Sequence, residues 1–366
     1  MSLKIGIVGL PNIGKSTLFN AITNSQVEAA NYPFATITPN VGTVEVKDFR
    51  MKKMQEIFTP NKTIYPTIEF YDIAGLISGA SKGEGLGNAF LANIRDTAAI
   101  CMVVRCFEDK DISHVEGTVD PIRDVEIINL ELLLSDEEQI KKRLDKIEKK
   151  AYAQKNVLEI KEVEVLKSIQ EFIKEGNMIR DFTFIDEDVE YIKHLNLLTL
   201  KPMLFAANVH EDDLKQGDNK HVKVLKDYAK QQKTEVITVC AQIEQELSVM
   251  SEEDREIFME EYNIQESGLD KLVLSSYKTL GLQTFFTAGK QELRGWTYKK
   301  NMTAPECAGV IHTDFQKGFI KADIYNYNDL IECGSEKKVQ ESGKLRSEGK
   351  TYIVKDGDIC FFKFNV

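Results

Sequence analysis

Short, almost unbroken apolar runs recur through the first two-thirds of the chain, at Ile5 to Val8, Ile68 to Tyr71, Ile100 to Val104, Met203 to Ala207 and Val236 to Val239, with helical patterns between them. A run without polar alternation suits a strand covered on both faces, so this rhythm predicts βαβ units and a doubly wound, mostly parallel sheet of the α/β class. Ligands of such sheets sit at the carboxyl ends of the strands. Between roughly Asp124 and Lys174 the period changes: Ile140, Leu144 and Ile147, then Ile160, Val163, Leu166, Ile169 and Ile173, follow helical spacing among many charges. A break near Ala153 to Asn156 folds these helices into an antiparallel hairpin, an insertion expected over about residues 124–200. Its charges read as a solvated face, and the arm is a candidate docking surface. After Gly281 the texture turns to Gly-punctuated short strands, Gly309 to His312, Gly318 to Ala322 and Gly357 to Lys363, which predicts a separate small β-rich domain. The expected division is an α/β domain over residues 1–280 and a β-rich domain over 281–366.

Composition adds mostly exclusions. At 366 residues the chain has room for two or three cores. No apolar run is long enough to span a membrane, and Met1-Ser2-Leu3 leads straight into the first strand without a secretory leader, so a cytoplasmic protein is expected. Six cysteines without C-x-x-C spacing suggest neither zinc nor a disulfide framework. A net charge of −11 argues against DNA and against general nucleic-acid affinity, while Lys290, Arg294, Lys299 and Lys300 around Trp296 form one local basic stretch.

The candidate chemistry begins where the first strand ends. Gly9-Leu10-Pro11-Asn12-Ile13-Gly14-Lys15-Ser16 has the G-x-x-x-x-G-K-[ST] spacing of a phosphate-binding loop, and Thr17 to Ile22 continues as a helix. Gly9 and Gly14 let the backbone turn its N–H groups toward phosphate, Lys15 supplies a charge for the β/γ oxygens, and the Ser16 hydroxyl is placed for Mg²⁺. The next apolar strand ends in Asp72-Ile73-Ala74-Gly75, a D-x-x-G switch in which Asp72 holds Mg²⁺, directly or through water, and the Gly75 amide meets the γ-phosphate. Upstream, Asn31 to Thr38 lies where a first switch belongs, with Thr36 the expected Mg²⁺ ligand and Thr38 the alternative. Gly79 to Gly87 is glycine-rich, so large backbone changes are expected there. Leu76 occupies the place of a water-orienting glutamine and cannot hydrogen-bond water. Hydrolysis is therefore expected to be slow, to use groups elsewhere, or to need a partner. Asn12 is a candidate for holding a monovalent cation such as K⁺ against the phosphates, and His114 a candidate for reaching the attacking water.

The base motif departs from that of a GTPase. The strand from Pro202 delivers Asn208-Val209-His210-Glu211 where N-K-x-D is usual, so a valine replaces the lysine and a glutamate one methylene longer replaces the aspartate. Weakened pairing to guanine's two donors costs a few kcal/mol of selectivity, which makes ATP the expected nucleotide. Cys240-Ala241-Gln242 follows the next strand in the position of the second base loop.

With these elements in order the chain closely resembles the Obg-like ATPase, or YchF, family. The resemblance covers essentially the whole length, through Gly9 to Thr17, Asn31 to Thr36, Asp72 to Leu76, Gly79 to Asn88, Asn208 to Glu211, Thr303 to Pro305, Ile311 to Phe315, Lys317 to Ile320 and Val354 to Asp358. It implies a P-loop G domain interrupted by a coiled-coil arm and followed by a TGS domain of β-grasp-like fold. It also implies Mg²⁺-dependent ATP hydrolysis, with ATP preferred over GTP, and association with the ribosome, the large subunit being the expected site and the protein a monomer. By position, Asn12, Ile13, Gly14, Lys15, Ser16 and Thr17 would bind the phosphates, Ser16, Thr36 and Asp72 the metal, and Asn208, Val209 and Glu211 the base; Lys15, His114 and Gly75 are the catalytic candidates. Two rivals are an Obg- or Era-like GTPase using Glu211, and a nucleotide-gated scaffold with negligible turnover.

Overall fold

The computed structural model describes residues 4–25, 40–73, 86–185, 187–262 and 264–365. The strands in chain order are β1 (Lys4–Val8), β2 (Val41–Glu45), β3 (Lys62–Ile64), β4 (Thr67–Asp72), β5 (Ala99–Arg105), β6 (Met203–Asn208), β7 (Glu235–Val239), β8 (Leu282–Ala288), β9 (Glu292–Lys299), β10 (Phe319–Asn326), β11 (Arg346–Glu348) and β12 (Asp358–Phe364). One sheet runs β2-β4-β1-β5-β6-β7, and the pairings from β4 through β7 are all parallel. Every residue of β5 and β6 is buried, as the apolar runs require of central strands covered on both sides. The chain lays β4 on one side of β1 and β5 on the other, so the strand order reverses beside β1 and opens a crevice at its carboxyl end. Helix α1 (Lys15–Asn24) starts from that crevice and buries Leu18, Ala21 and Ile22.

Between β5 and β6 stands the inserted arm. Helix α4 (Pro121–Gln154) has Asp120 as its N-cap and Pro121 in its first turn, and at a rise of about 1.5 Å per residue it runs roughly 50 Å. Its first turns bury Val125, Ile128 and Leu132, and its later ones bury Ile140, Leu144, Ile147 and Ala151 against Val163, Leu166, Ile169 and Ile173 of α5 (Val157–Lys174). The reversal falls where the broken periodicity put it: Lys155 is left-handed at φ 53°, and the Asn156 side chain accepts from the Leu158 and Glu159 amides to start α5. At the arm's root Asp136 is fully buried. Its carboxylate accepts from the Leu198 and Thr199 amides at 2.9 and 2.7 Å and from the Thr199 hydroxyl at 2.9 Å. Arg95, the last residue of α3 (Leu86–Arg95), adds an ion pair to Asp136 at 3.3 Å and a hydrogen bond to the Ser135 hydroxyl at 2.8 Å. Burial pushes the Asp136 carboxyl up, and these amides and the Arg95 guanidinium act against that.

The second sheet runs β11-β10-β12-β8-β9-β3. A parallel β12/β8 pair is flanked by the antiparallel β8/β9 hairpin and the antiparallel β10/β12 pair, a mixed, β-grasp-like arrangement. Helix 304–311 covers one face through Ala304, Cys307 and Ala308 against Phe285, Tyr298 and Ile324. The strand expected at Gly309 to His312 is therefore the end of this helix. Its start is fixed by a capping box in which Glu306 accepts from the Thr303 amide at 2.7 Å, with Pro305 in the first turn, and these outweigh the β-branched Val310-Ile311 pair. The other face takes Met51 and Met54 of α2 (Phe49–Phe58), which join a cluster with Phe286, Leu293 and Ile359. Residues 43–68 thus cluster with residues 273–366 into one compact unit, while residues 4–25, 40–42 and 69–272 form the other. The sequence division at 280 left 43–68 in the α/β domain; β3 pairing in parallel with β9, and Arg50 bridging Asp48 and Asp356, attach it to the β-rich one.

All six cysteines are free thiols, five of them buried. No helix among the described residues is long and apolar enough to cross a membrane. Replacing Asp136 with Ala strands two buried amides and the Arg95 charge. Native-state hydrogen exchange is expected to show Leu198 and Thr199 losing about 3 kcal/mol of protection while β12 keeps its own; unchanged protection at those two amides would contradict the role given to the carboxylate.

Candidate functional site

The loop between β1 and α1 takes two backbone conformations that most side chains resist: Asn12 has φ 60° and Gly14 φ 87°. At Gly14 the constraint is double, since a Cβ there would stand 2.2 Å from Asn208 Nδ2. Gly14 serves as N-cap of α1 without a side-chain cap, so the first turn turns its amide N–H groups and dipole toward the loop. Lys15 is nearly buried and its ammonium is ion-paired to the Asp72 carboxylate at the end of β4. Ser16 is exposed beside it and Thr17 half-exposed.

Asn208, the last residue of β6, joins this loop to the rest of the site. Its Nδ2 donates to the Ile13 carbonyl at 2.8 Å and its Oδ1 accepts from the Ala241 amide at 2.9 Å, all in a buried position. Three loops that follow β1, β6 and β7 are thereby held together. They line a pocket of about 420 Å³, to which the phosphate loop contributes Asn12, Gly14 and Thr17 and the later loops Val209, Glu211 and Gln242. Val209 is buried and its amide donates to the Val239 carbonyl at 2.9 Å. Glu211 opens a short helix whose N-cap is His210, with Asp213 completing the capping box, so the His210 side chain is taken up in starting that helix. Burial first, then the Glu244 and Glu211 charges, push the Cys240 thiol in the same pocket up to about 11.

The far wall comes from the loop after β5 and was not legible as a site in the sequence. Arg105 closes β5 fully buried, donating to three backbone carbonyls, Phe107 at 3.1 Å, Ile112 at 3.1 Å and Asp109 at 3.3 Å. Its guanidinium lies 4.6 Å from the Phe107 ring centre, and burial lowers its affinity for the proton. Arg105 thus shapes the segment that presents Phe107, Asp109 and Ile112 to the pocket. Asn219 ties that segment to the Glu211 helix, donating to the Cys106 carbonyl at 2.7 Å and to Asp213 at 2.9 Å. The available signal was a lone arginine ending an otherwise apolar strand.

His114 sits further along this loop with both ring nitrogens engaged. The Glu116 amide donates to Nδ1 at 3.1 Å, which leaves the proton of the neutral ring on Nε2, 2.8 Å from the Asp124 carboxylate at the start of α4. The ring is nearly buried and turned onto α4. Its neighbour Ser113 accepts from Asn12 Nδ2 at 3.4 Å, which links this loop to the phosphate loop. Trp296 of the basic stretch packs on Phe285, donates to Thr287 at 2.9 Å and carries the Arg294 guanidinium 4.0 Å over its ring. Thr36, Thr38, Gly75, Leu76 and Gly79 to Gly85 lie outside the described residues.

Comparison with known proteins finds relatives over the whole chain. Residues 4–161 match a family model described as 50S ribosome-binding GTPase, and residues 282–365 match the YchF GTPase C-terminal model, described as a protein of unknown function. The chain is 52% identical to the ribosome-binding ATPase YchF of Bacillus subtilis and 46% identical to that of Escherichia coli O157:H7, each over the full length of both proteins. The solved structure of the Schizosaccharomyces pombe YchF GTPase superposes with a TM-score of 0.88 at 38% identity, over 99% of this chain and 98% of that one.

Two substitutions test the construction. Gly14→Ala, through strained φ and the Asn208 clash, is expected to weaken nucleotide binding at least tenfold by calorimetry and to lower the unfolding temperature by several degrees; parent-level affinity would contradict the packing described. His114→Ala frees the loop that carries Ile112 and Asp109, so KM is expected to rise several-fold while kcat stays within about threefold. A fall in kcat alone would return His114 to the attacking water.

Proposed function

The chain belongs to the YchF family, and on that premise we propose that it is a Mg²⁺-dependent P-loop ATPase and switch protein that binds the ribosome. The observation that carries the nucleotide reading is the pocket beside Asn208, lined by the phosphate loop together with Val209, Glu211 and Gln242. Apolar contact from Phe107, Ile112 and Val209 suits the faces of a purine. Adenine presents an amine donor beside a ring-nitrogen acceptor. The Gln242 amide matches that pair with one donor and one acceptor, whereas the Glu211 carboxylate accepts only. Binding of ATP in preference to GTP follows from that complementarity. The second reading, a GTPase, is favoured by the Glu211 carboxylate lining the pocket, since guanine offers two donors to it.

The donor set suits Mg²⁺, which prefers hard oxygens and completes its shell from phosphate and water. Ser16 supplies a hydroxyl next to Lys15, and Asp72 a carboxylate in contact with the Lys15 ammonium; Thr36 would complete the set once the γ-phosphate is present. When bound, the metal neutralises charge on the β- and γ-phosphates. An entering triphosphate would compete with Asp72 for Lys15, and the carboxylate released from that pair would be one of the groups that hold Mg²⁺. Lys15 stabilises charge on the transferring phosphoryl group, and the Gly75 amide is assigned to the γ-phosphate. Asn12, whose amide nitrogen donates to Ser113, would offer its oxygen to K⁺ as activator. His114 acts as a positioning residue, holding the pocket's loop on Asp124. The large ribosomal subunit is the proposed docking partner of a monomeric, cytoplasmic protein.

Phosphate release measured with ATP and with GTP, each with and without ribosomes, tests the proposal. ATP is expected to turn over faster than GTP and to be stimulated by ribosomes, with Lys15→Ala lowering turnover about a hundredfold. GTP turnover equal to or above that of ATP would favour the second reading, and no release above background would overturn the enzyme.

A further inference from the structure

The chain carries a net charge of −11, yet residues 141–155, the distal half of α4 and the turn after it, hold seven lysine and arginine side chains against two acidic ones, Asp145 and Glu148. Lys142, Lys146 and Lys149 follow i, i+4, i+7 spacing, which puts them on the face opposite the buried Ile140, Leu144, Ile147 and Ala151. Of the three, Lys142 pairs with Glu138 at 2.7 Å, whereas Lys146 and Lys149 make no ion pair among the described residues. Like charges at this spacing destabilise a helix. Other charges nearby are neutralised: Arg143 by Glu162, Lys150 by Glu159 and Lys167 by Glu148. At the tip, apolar side chains turn outward. Val157 and Leu158 are 70% and 66% exposed, and Tyr152 is 48% exposed. The capped turn at Lys155-Asn156 holds them in place, so their exposure is built in by the chain's own hydrogen bonds.

We propose that the tip of the helical arm is an RNA-binding surface, in which the Lys142, Lys146 and Lys149 row meets backbone phosphates and Tyr152 stacks on an unpaired base. Cations about 5–6 Å apart along a helix suit the regular charges of a strand. An exposed aromatic ring beside them is how proteins hold bases that have left a stack. An acidic protein surface would satisfy the lysines but leave no specific use for the ring, so RNA accounts for both features. The setting rests on the ribosome association proposed above, and the test separates the two.

The full-length chain is titrated with deproteinised ribosomal RNA and, separately, with intact ribosomes, across a range of salt. The double variant Lys146→Glu with Lys149→Glu is expected to bind the RNA at least tenfold more weakly and to flatten the slope of log affinity against log salt by about 1.4, at about 0.7 per lost phosphate contact. Tyr152→Ala is expected to weaken binding about tenfold with the slope unchanged. Both variants should keep the parent's circular dichroism and its ATP turnover without ribosomes, and Lys146→Gln with Lys149→Gln should give an intermediate loss. Parent-level RNA affinity in the variants, or no RNA binding by the parent, overturns the proposal. A loss of ribosome binding with RNA binding intact also overturns it and gives the tip to a protein. RNA binding that needs the tip in a chain that fails to bind ribosomes leaves the proposal standing and removes the ribosome reading instead.

Discussion

The site depends on one buried amide. Asn208 stands at the end of β6, where a fully covered strand meets solvent, and its two polar atoms satisfy backbone groups from loops on either side, Ile13 and Ala241. Both groups would otherwise be buried without partners, at about 1–3 kcal/mol each. No other side-chain type of this size donates and accepts in the required directions. Gly14 completes the arrangement, because any side chain there would occupy the space of the Asn208 amide. The phosphate loop and the pocket beside it are therefore a single construction.

Around that centre, other buried polar groups fix the loops that no sheet ladder reaches. Arg105 spends its donors on carbonyls of the loop after β5, and Asn219 ties that loop to the helix headed by Glu211. His114 holds the same loop to Asp124 at the start of α4, and Arg95 fastens α3 to Asp136 in the same helix. Helix α4 is thus gripped at its root from two directions before it leaves as the arm. The grip at Asp136 comes from α3, whose last residue is Arg95.

What was legible in the sequence follows the range of the physics. Apolar runs predicted β1, β4, β5, β6 and β7 within a residue or two, because an apolar strand announces itself locally, even in β7 at the sheet's edge. The arm was equally clear, since its period and its Asn156 cap are local too. The phosphate loop was read from spacing alone, and the resemblance to the YchF family agreed with full-length relatives. Distant pairing escaped: nothing in residues 43–68 says that β3 pairs with β9, more than two hundred residues on. Gly309 to His312 was misread because Val310 and Ile311 favour strand, while the capping box that decides for helix lies a turn earlier. Asn208 was assigned to the base by its motif. Its bonds to Ile13 and Ala241 show a bracing duty that depends on partners 195 and 33 residues away.

The most direct test of this account is equilibrium binding of ATP and of inorganic triphosphate, both with Mg²⁺, to the parent chain and to Asn208→Ala. Triphosphate uses the phosphate loop alone. If Asn208 braces that loop as well as the base pocket, the variant loses affinity for both ligands, by about tenfold or more, the equivalent of about 1.4 kcal/mol. A variant that binds triphosphate as the parent does and loses affinity only for ATP would contradict the account, leaving Asn208 a base contact and the two halves of the site independent.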